Sequence, residues 1–331
     1  DESSSQAHYK NRTDKDQPFF AVFNYTLTHE SKTWQEPEWT DPVHVVVPPY
    51  YPDTEPVRKS IARLYDNIAR LDTIVEEHIK ALEKEGLADN TIVFFWSDHG
   101  DGLPRGKRWV YDSGTRVPFI IRWPGYIEPG SVNEQVISSI DFGPTVLSMA
   151  NVPIPAHMQG KAFLGKQMSE PREYAFTARD RFDESYDMVR SVRDKRYRYV
   201  RNYYPNKPKI IWVPYRNNSP IMKELYRLHA EGELTPRQKI WFEDNRAPEE
   251  LFDCIEDPHQ LNNLADDPEY DSILVRMRKV MNEWRDETGD MGDMSEEQMV
   301  AMWYPNGVPP TTSPVHFIPN TEGNRGSEII A

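Results

Sequence analysis

The sequence predicts an α/β fold: a mixed, mostly parallel sheet flanked by helices over residues 1–171, followed by a C-terminal α+β subdomain with a small antiparallel sheet and an extended tail over residues 172–331. Three observations predict it. Residues 92–96, Ile-Val-Phe-Phe-Trp, form an unbroken apolar run rich in β-branched and aromatic side chains, the composition of a strand buried on both faces. That run follows, after a short link, the clearest helical pattern in the chain, residues 57–85, and a helix leading into a core strand is the unit that builds parallel sheets. Residues 187–192 and 196–202 are strand-like and flank Asp194-Lys195, which reads as an antiparallel hairpin.

Taken in order, residues 1–17 are polar and read as a surface loop or frayed end. Residues 18–25 read as a buried strand with His29 just beyond it. Residues 31–56, rich in proline and aromatics, read as a long loop over the site, with His44 structural. In the long helix, Ile61, Leu64, Tyr65, Ile68, Leu71, Ile74, Val75, Ile79 and Leu82 keep the three-to-four spacing of one buried stripe, and Gly86 ends it. The core strand stops at Ser97-Asp98-His99-Gly100-Asp101-Gly102, which places two carboxylates and an imidazole at its carboxyl end, the edge where open α/β sheets bind ligands. A basic cluster, Arg105, Lys107 and Arg108, follows at once. Residues 117–123 form a second apolar run closed by Pro124-Gly125. Asp141 caps a helix with Pro144 in its first turn, running to about Ala150, and His157 to Gly160 fall on a loop near the sheet's edge.

In the second half, Arg190, Arg193, Arg196, Arg198 and Arg201 of the hairpin read as a solvated face. Residues 203–219 are an aromatic, proline-containing loop. Residues 221–230 and 236–244 read as short helices. Residues 268–288 read as a longer amphipathic helix with Ile273, Val275, Met277, Val280, Met281 and Trp284 inward. Residues 291–331 read as a low-pattern tail.

Composition narrows the partners. The 331 residues are 38% hydrophobic, ample for a sizeable core. Thirty-nine Lys+Arg against 53 Asp+Glu give a net charge of −14, which argues against nucleic acid or an anionic membrane surface as partner. An anionic substrate then needs a local basic pocket, and the Lys107 region supplies one. One cysteine excludes an intrachain disulfide framework. No apolar run approaches the ~20 residues a membrane-spanning helix requires.

Carboxylates beside fixed cations fit a metal site that also holds an anionic group. Asp98, at the end of a core strand, is the carboxylate placed best as a metal ligand, while Asp101 fits a turn-forming role equally well. Ser97-Asp98-His99-Gly100, then Gly106-Lys107 and Tyr111-Asp112, then Arg116 through Gly125, resemble the sulfatase family of the alkaline phosphatase superfamily. So do Leu27-Thr28-His29, residues 139–147, His157-Met158-Gln159-Gly160, Glu250 to Asp253 and Asn262 to Ala265. The downstream features are most similar to the sulfamidase-like, polysaccharide-sulfatase branch.

The resemblance implies an alkaline-phosphatase-like fold and a metal-dependent hydrolase of sulfate esters or N-sulfates on a carbohydrate. It implies Asp98 and His99 as ligands of one divalent ion, calcium by family habit, with manganese or zinc left open by His99. It implies Lys107 against the sulfate and His29 near the leaving oxygen as general acid. Arg105, His157, Arg179 and Arg181 are substrate-binding candidates, Arg181 with a surface ion pair as the equally weighted alternative. The family's Cys/Ser-x-Pro/Ala-x-Arg nucleophile motif, whose first residue becomes formylglycine, does not occur: Cys254 sits in Phe252-Asp253-Cys254-Ile255. The nucleophile is therefore expected in an upstream segment, with little turnover from this chain alone. A phosphate or phosphonate ester hydrolase, and a truncated non-catalytic binder of acidic glycans, are the alternatives. A periplasmic or secreted location follows from the resemblance only.

Overall fold

The computed structural model describes residues 8–304, which fall into two compact units. The larger runs from Thr26 to Asp290. Its first helix, α1 (Glu55–Lys84), starts with Pro56 in the first turn, where a missing N–H costs nothing, and ends before Gly86 at φ 67°. The N-terminal half of its apolar stripe is buried: Val57, Ile61 and Leu64. Three polar residues of the same half face the 31–45 loop and pin it. The Asp66 carboxylate accepts the amides of Glu38 (2.5 Å) and Thr40 (2.9 Å), Arg63 donates to Gln35 (2.9 Å), and Asn67 donates to the Lys32 carbonyl (3.3 Å).

β1 (Val93–Trp96), the short helix α2 (Asp112–Thr115), β2 (Phe119–Arg122) and α3 (Phe142–Met149) follow. β1 pairs antiparallel with β2, Val93 opposite Arg122 and Trp96 opposite Phe119. Phe142 of α3 stacks on Phe119 (4.7 Å) and meets Trp96 edge-on (5.4 Å), which covers part of this pair. The α/β class holds, but every strand pairing among the described residues is antiparallel. β1 is also only half-buried where burial on both faces was expected. A strand becomes doubly buried when layers pack on both faces and strands flank both edges; here β1 has β2 on one edge. Trp96 is 42% exposed and Ile120 61%, and Tyr65 and Ile68, in the middle of the α1 stripe, are exposed as well.

β3 (Ala175–Phe182), β4 (Ser185–Arg193), β5 (Tyr197–Asn202) and, after α4 (Pro220–Glu231) and α5 (Pro236–Lys239), β6 (Glu249–Asp253) make an antiparallel sheet in the order β3-β4-β5-β6. The expected hairpin is β4–β5, closed by Asp194, whose carboxylate accepts the amides of Arg196 (2.8 Å) and Tyr197 (2.6 Å). α6 (Asp271–Thr288) packs Leu274, Met277 and Met281 against Val192, Tyr199 and Leu251 on one face. Val275, expected inward, is exposed, because it lies off the stripe that these three residues define. On the other face Phe182, Val189, Val200 and Phe252 join Trp109, Tyr111, Trp241 and the buried start of α1 in the main core.

The hairpin arginines divide: Arg190 and Arg198 lie inside the fold, whereas Arg196 is exposed and Arg201 partly so. Arg190 and Arg198 are buried, Arg190 on Asp180 and Asp290 (2.7 Å each), Arg198 on Asp112 (2.7 Å). Arg193, Arg196 and Arg201 pair with Asp112, Asp253 and Glu249. Each pairs with a carboxylate from a distant segment, so the cations tie elements together, Arg196 and Arg201 while still open to water.

The smaller unit comprises residues 1–25 and 291–331, described over 8–25 and 291–304. Residues 18–25 are not a strand: Phe20 and Val22 stand exposed, and no strand lies beside them among the described residues to complete their hydrogen bonds. The tail does hold a helix, α7 (Glu296–Trp303), opened by a capping box in which Ser295 accepts from the Gln298 amide (3.2 Å) and Gln298 from Ser295 (3.1 Å). Residues 305–331, the rest of the expected tail, and 1–7 lie outside the described residues.

Candidate active site

The loop after β1 folds back on itself. The Gly100 amide donates to the Gly114 carbonyl (2.9 Å) and the Lys107 amide to the Asp101 carbonyl (2.9 Å). Gly102 is the point of closest approach to the His29 segment: a Cβ there would lie 2.7 Å from the Glu30 Cα. Only glycine lets these two backbones meet.

Across that contact lies a buried ion cluster. The Glu30 carboxylate, 3% exposed, accepts both terminal nitrogens of Arg108 (2.9 Å each) and sits 3.1 Å from Lys107 Nζ. Arg108 Nε reaches on to Asp183 (2.7 Å) at the β3–β4 turn. Burial opposes ionisation of Glu30, but the hydrogen bonds and charges of Arg108 and Lys107 outweigh it and lower its pKa. Arg108 holds φ 76°, a left-handed backbone unusual for arginine, and the two carboxylates gripping its guanidinium fix it there.

The two histidines have opposite tautomers. His29 Nδ1 accepts from the Ser31 amide (3.4 Å) and lies 3.0 Å from the Ser31 hydroxyl. A backbone amide only donates, so the proton of the ring is on Nε2. His99 Nδ1 lies 2.8 Å from the Gly100 carbonyl, which only accepts, so that nitrogen carries a proton and, in the neutral ring, Nε2 holds the lone pair. His99 Nε2 is 3.7 Å from Asp98 Oδ2, and the Asp98 side chain is 84% exposed. A ring held by its second nitrogen on a carbonyl is the arrangement of a metal-binding histidine. Asp98 and His99 thus fit a divalent ion as two of its ligands. No group of three or more His, Cys, Asp or Glu that could hold a metal occurs among the described residues.

The structure thus joins Lys107 to the His29 segment through Glu30, and places Asp98 beside His99 on the adjoining loop. It moves two candidates away. Arg105 is buried, its guanidinium 4.6 Å from the Tyr50 ring and 4.3 Å from the Tyr111 ring, donating to the Gln260 carbonyl (2.9 Å). Arg179 is buried against Phe182 (4.7 Å), paired with Asp187 (2.5 Å). Each guanidinium is enclosed by rings and acceptors inside the fold. Arg181 is exposed near the β3–β4 turn, and His157 is exposed on the loop after α3, where no hydrogen bond or ring contact among the described residues links it to the cluster. Glu30 was not singled out, and Arg108 entered only as part of the basic cluster. The available signal was adjacency: an acid directly after the candidate His29, and a second base directly after the candidate Lys107.

The fold is that of an α/β chain with a buried acid–base cluster beside two histidines. The description "Sulfatase" matches residues 3–152, and "N-sulphoglucosamine sulphohydrolase, C-terminal" matches residues 104–239. An "Ulvan-active sulfatase" of Formosa agariphila is 40% identical over all of this chain and 61% of its own length. The human "N-sulphoglucosamine sulphohydrolase" is 29% identical over 86% of this chain and 60% of its own length. Among solved structures, a "2-O GAG sulfatase" superposes with a TM-score of 0.55 at 21% identity, over 86% of this chain and 57% of that one. The chain belongs to the sulfatase family, has its alkaline-phosphatase fold, and spans about 60% of the length of these curated relatives.

Proposed function

We propose that the protein to which this chain belongs is a sulfatase that removes sulfate, as O-ester or N-sulfate, from a carbohydrate of an acidic polysaccharide. The observation that carries this is the Glu30 contact, which holds the Lys107 ammonium beside the His29 segment while Gly102 docks the Asp98-His99 loop on the same spot. Lys107 offsets charge on the sulfate oxygens and on the leaving group. His29, with its proton on Nε2, delivers that proton to the departing oxygen or nitrogen as the bond to sulfur breaks. Sulfatases generally bind a divalent metal. Asp98 and His99 would hold it, calcium by family resemblance or a softer ion because of His99, and it would supply polarisation of the sulfate oxygens.

The nucleophile, a formylglycine by family resemblance, belongs on this reading to an upstream segment that covers the exposed side of β1, β2 and α1. The half-buried β1 and the exposed Ile120 and Ile68 support that placement. A catalytic part over residues 1–171, a C-terminal subdomain from 172, and a periplasmic or secreted location belong to the same reading. No helix among the described residues is long and apolar enough to cross a membrane. The test is sulfate release from ulvan and heparan sulfate by the full-length protein, with a phosphate ester as control. Release that falls at least about a hundredfold in Lys107→Ala supports the reading. No release from either polymer, or equal loss on the phosphate ester, rejects it.

A further inference from the structure

We propose that Tyr215 and Trp34 form a stacking platform for the pyranose ring that carries the sulfate, a substrate contact resting on the sulfatase reading above. The Tyr215 ring lies 6.4 Å from the His29 imidazole and 5.2 Å from the Trp34 ring, tilted 53° to the latter. Trp34 ends the short turn Glu30–Trp34 that starts at His29 itself. Tyr215 comes from a loop about 180 residues later, yet it is 43% exposed, as is Trp212 three positions earlier at 62%. Aromatic rings left open beside a polar reactive group suit a sugar, whose C–H face is apolar and whose rim is wet.

The loop is built rigidly enough to serve. Arg216 is buried beneath it, its guanidinium 4.7 Å from the Phe182 ring and donating to the Ile211 carbonyl (2.5 Å). The Asn217 amide donates to the Val213 carbonyl (3.0 Å), and the Asn218 side chain to the carbonyls of Pro214 and Tyr215 (3.1 Å each). The β3–β4 turn ties this loop to the cluster at Lys107: Ser185 Oγ donates to the Trp212 carbonyl (2.9 Å), and two residues earlier Asp183 holds Arg108. One turn thus sets both the cations and the aromatic wall. With the Tyr215 ring 6.4 Å from the His29 imidazole, a pyranose on Tyr215 would lie within reach of His29.

The test uses the full-length protein with Tyr215→Ala, Tyr215→Phe and Trp34→Ala. For sulfate release from ulvan or heparan sulfate, Tyr215→Ala and Trp34→Ala should raise KM about tenfold, with kcat little changed and Tyr215→Phe near wild type. Inorganic sulfate, a competitive inhibitor that touches Lys107 but carries no ring, should keep its inhibition constant in all three. An unchanged KM in Tyr215→Ala, or a sulfate inhibition constant that rises in step with KM, overturns the platform. Affinity electrophoresis in gels containing either polymer reads the platform apart from turnover. If no variant hydrolyses sulfate, the sulfatase reading fails, whereas retardation lost in Tyr215→Ala and kept in Tyr215→Phe still supports the stacking surface. Equal retardation of both rejects it.

Discussion

Replacing Glu30 by glutamine removes one negative charge from a site where it faces two cations. The carboxylate is 3% exposed and the Arg108 side chain 10%, so water screens that pair weakly; Lys107, 25% exposed, is partly solvated and contributes less. Removing one partner of a buried pair costs about 3–5 kcal/mol, and the glutamine carbonyl keeps one of the hydrogen bonds, so we expect a loss of about 2–3 kcal/mol. In a 331-residue chain, with an unfolding entropy of about 0.7 kcal/mol/K, that lowers the Tm by about 3–4 °C. The sign of the pH dependence follows from the lowered pKa of Glu30. Its stabilisation is fully present above the ordinary glutamate value of 4.5 and is lost as the pH falls through the lower folded value. Thermal unfolding followed by circular dichroism at pH 7 and in steps down to pH 3 measures it. The gap between wild type and Glu30→Gln should be largest at neutral pH and close on acidification. Equal Tm values at pH 7, or a gap that persists unchanged at low pH, refute the assignment.

Three further outcomes follow from the same contacts. Asp112, gripped by Arg198 and Arg193, keeps its carboxyl at about 2 despite burial, so Asp112→Asn should cost about 3 kcal/mol at neutral pH, a difference that shrinks as the pH falls toward 2 in acid-unfolding curves. Asp98→Asn with His99→Ala should leave the Tm of the 331-residue chain within about 1 °C, since the Asp98 side chain is exposed, while metal content of the full-length protein by elemental analysis drops severalfold. Ile120→Lys should reduce self-association of the 331-residue chain in light scattering and yet destabilise the full-length protein by about 2–4 kcal/mol; stabilisation or neutrality there would place Ile120 in water in both.

Local signals in the sequence were strong where a residue acts within its own element. The buried first half of the α1 stripe, Gly86 and the β4–β5 hairpin follow from spacing and turn chemistry, and Pro144 lies in a helix as expected, although Asp141 gives that helix no side-chain cap and serves the Ser138 capping box instead. What was illegible depends on partners far along the chain. Nothing near Arg105 announces that Tyr50, Tyr111 and Gln260 will enclose it, and nothing near Arg190 announces Asp290, 100 residues away. An arginine in a polar stretch reads as solvated because charge favours water; only the fold shows that a carboxylate is waiting. Residues 18–25 err in the other direction: apolar and β-prone, they look like a strand, but a strand is a relation between two segments. Among the candidates, position at a strand end pointed to Asp98 and the family resemblance to His29, His99 and Lys107, while Glu30, which joins Lys107 to the His29 segment, carries no sequence signal beyond its position.

That link changes the electrostatics expected of the site. A basic cluster after Asp98-His99 suggests a pocket with surplus positive charge that attracts sulfate unaided. The structure instead pairs Lys107 and Arg108 with Glu30 and Asp183, two cations against two carboxylates, which leaves no surplus. On the proposed sulfatase reading, sulfate reaching Lys107 would compete with Glu30 for the same ammonium, so ground-state attraction by this half of the site would be weak. What the pairing would then supply is position: an ammonium held by a buried carboxylate does not have to be ordered when a leaving group departs, and its charge would be felt most by the negative charge that develops there. Surplus positive charge then has to come from the other half, where a divalent ion beside Asp98 would outweigh that single carboxylate. On that reading, weak binding of sulfate in the ground state, with positional stabilisation reserved for the leaving group, is the division of labour that would favour turnover over tight retention and would leave affinity for a polymer to contacts with the sugar.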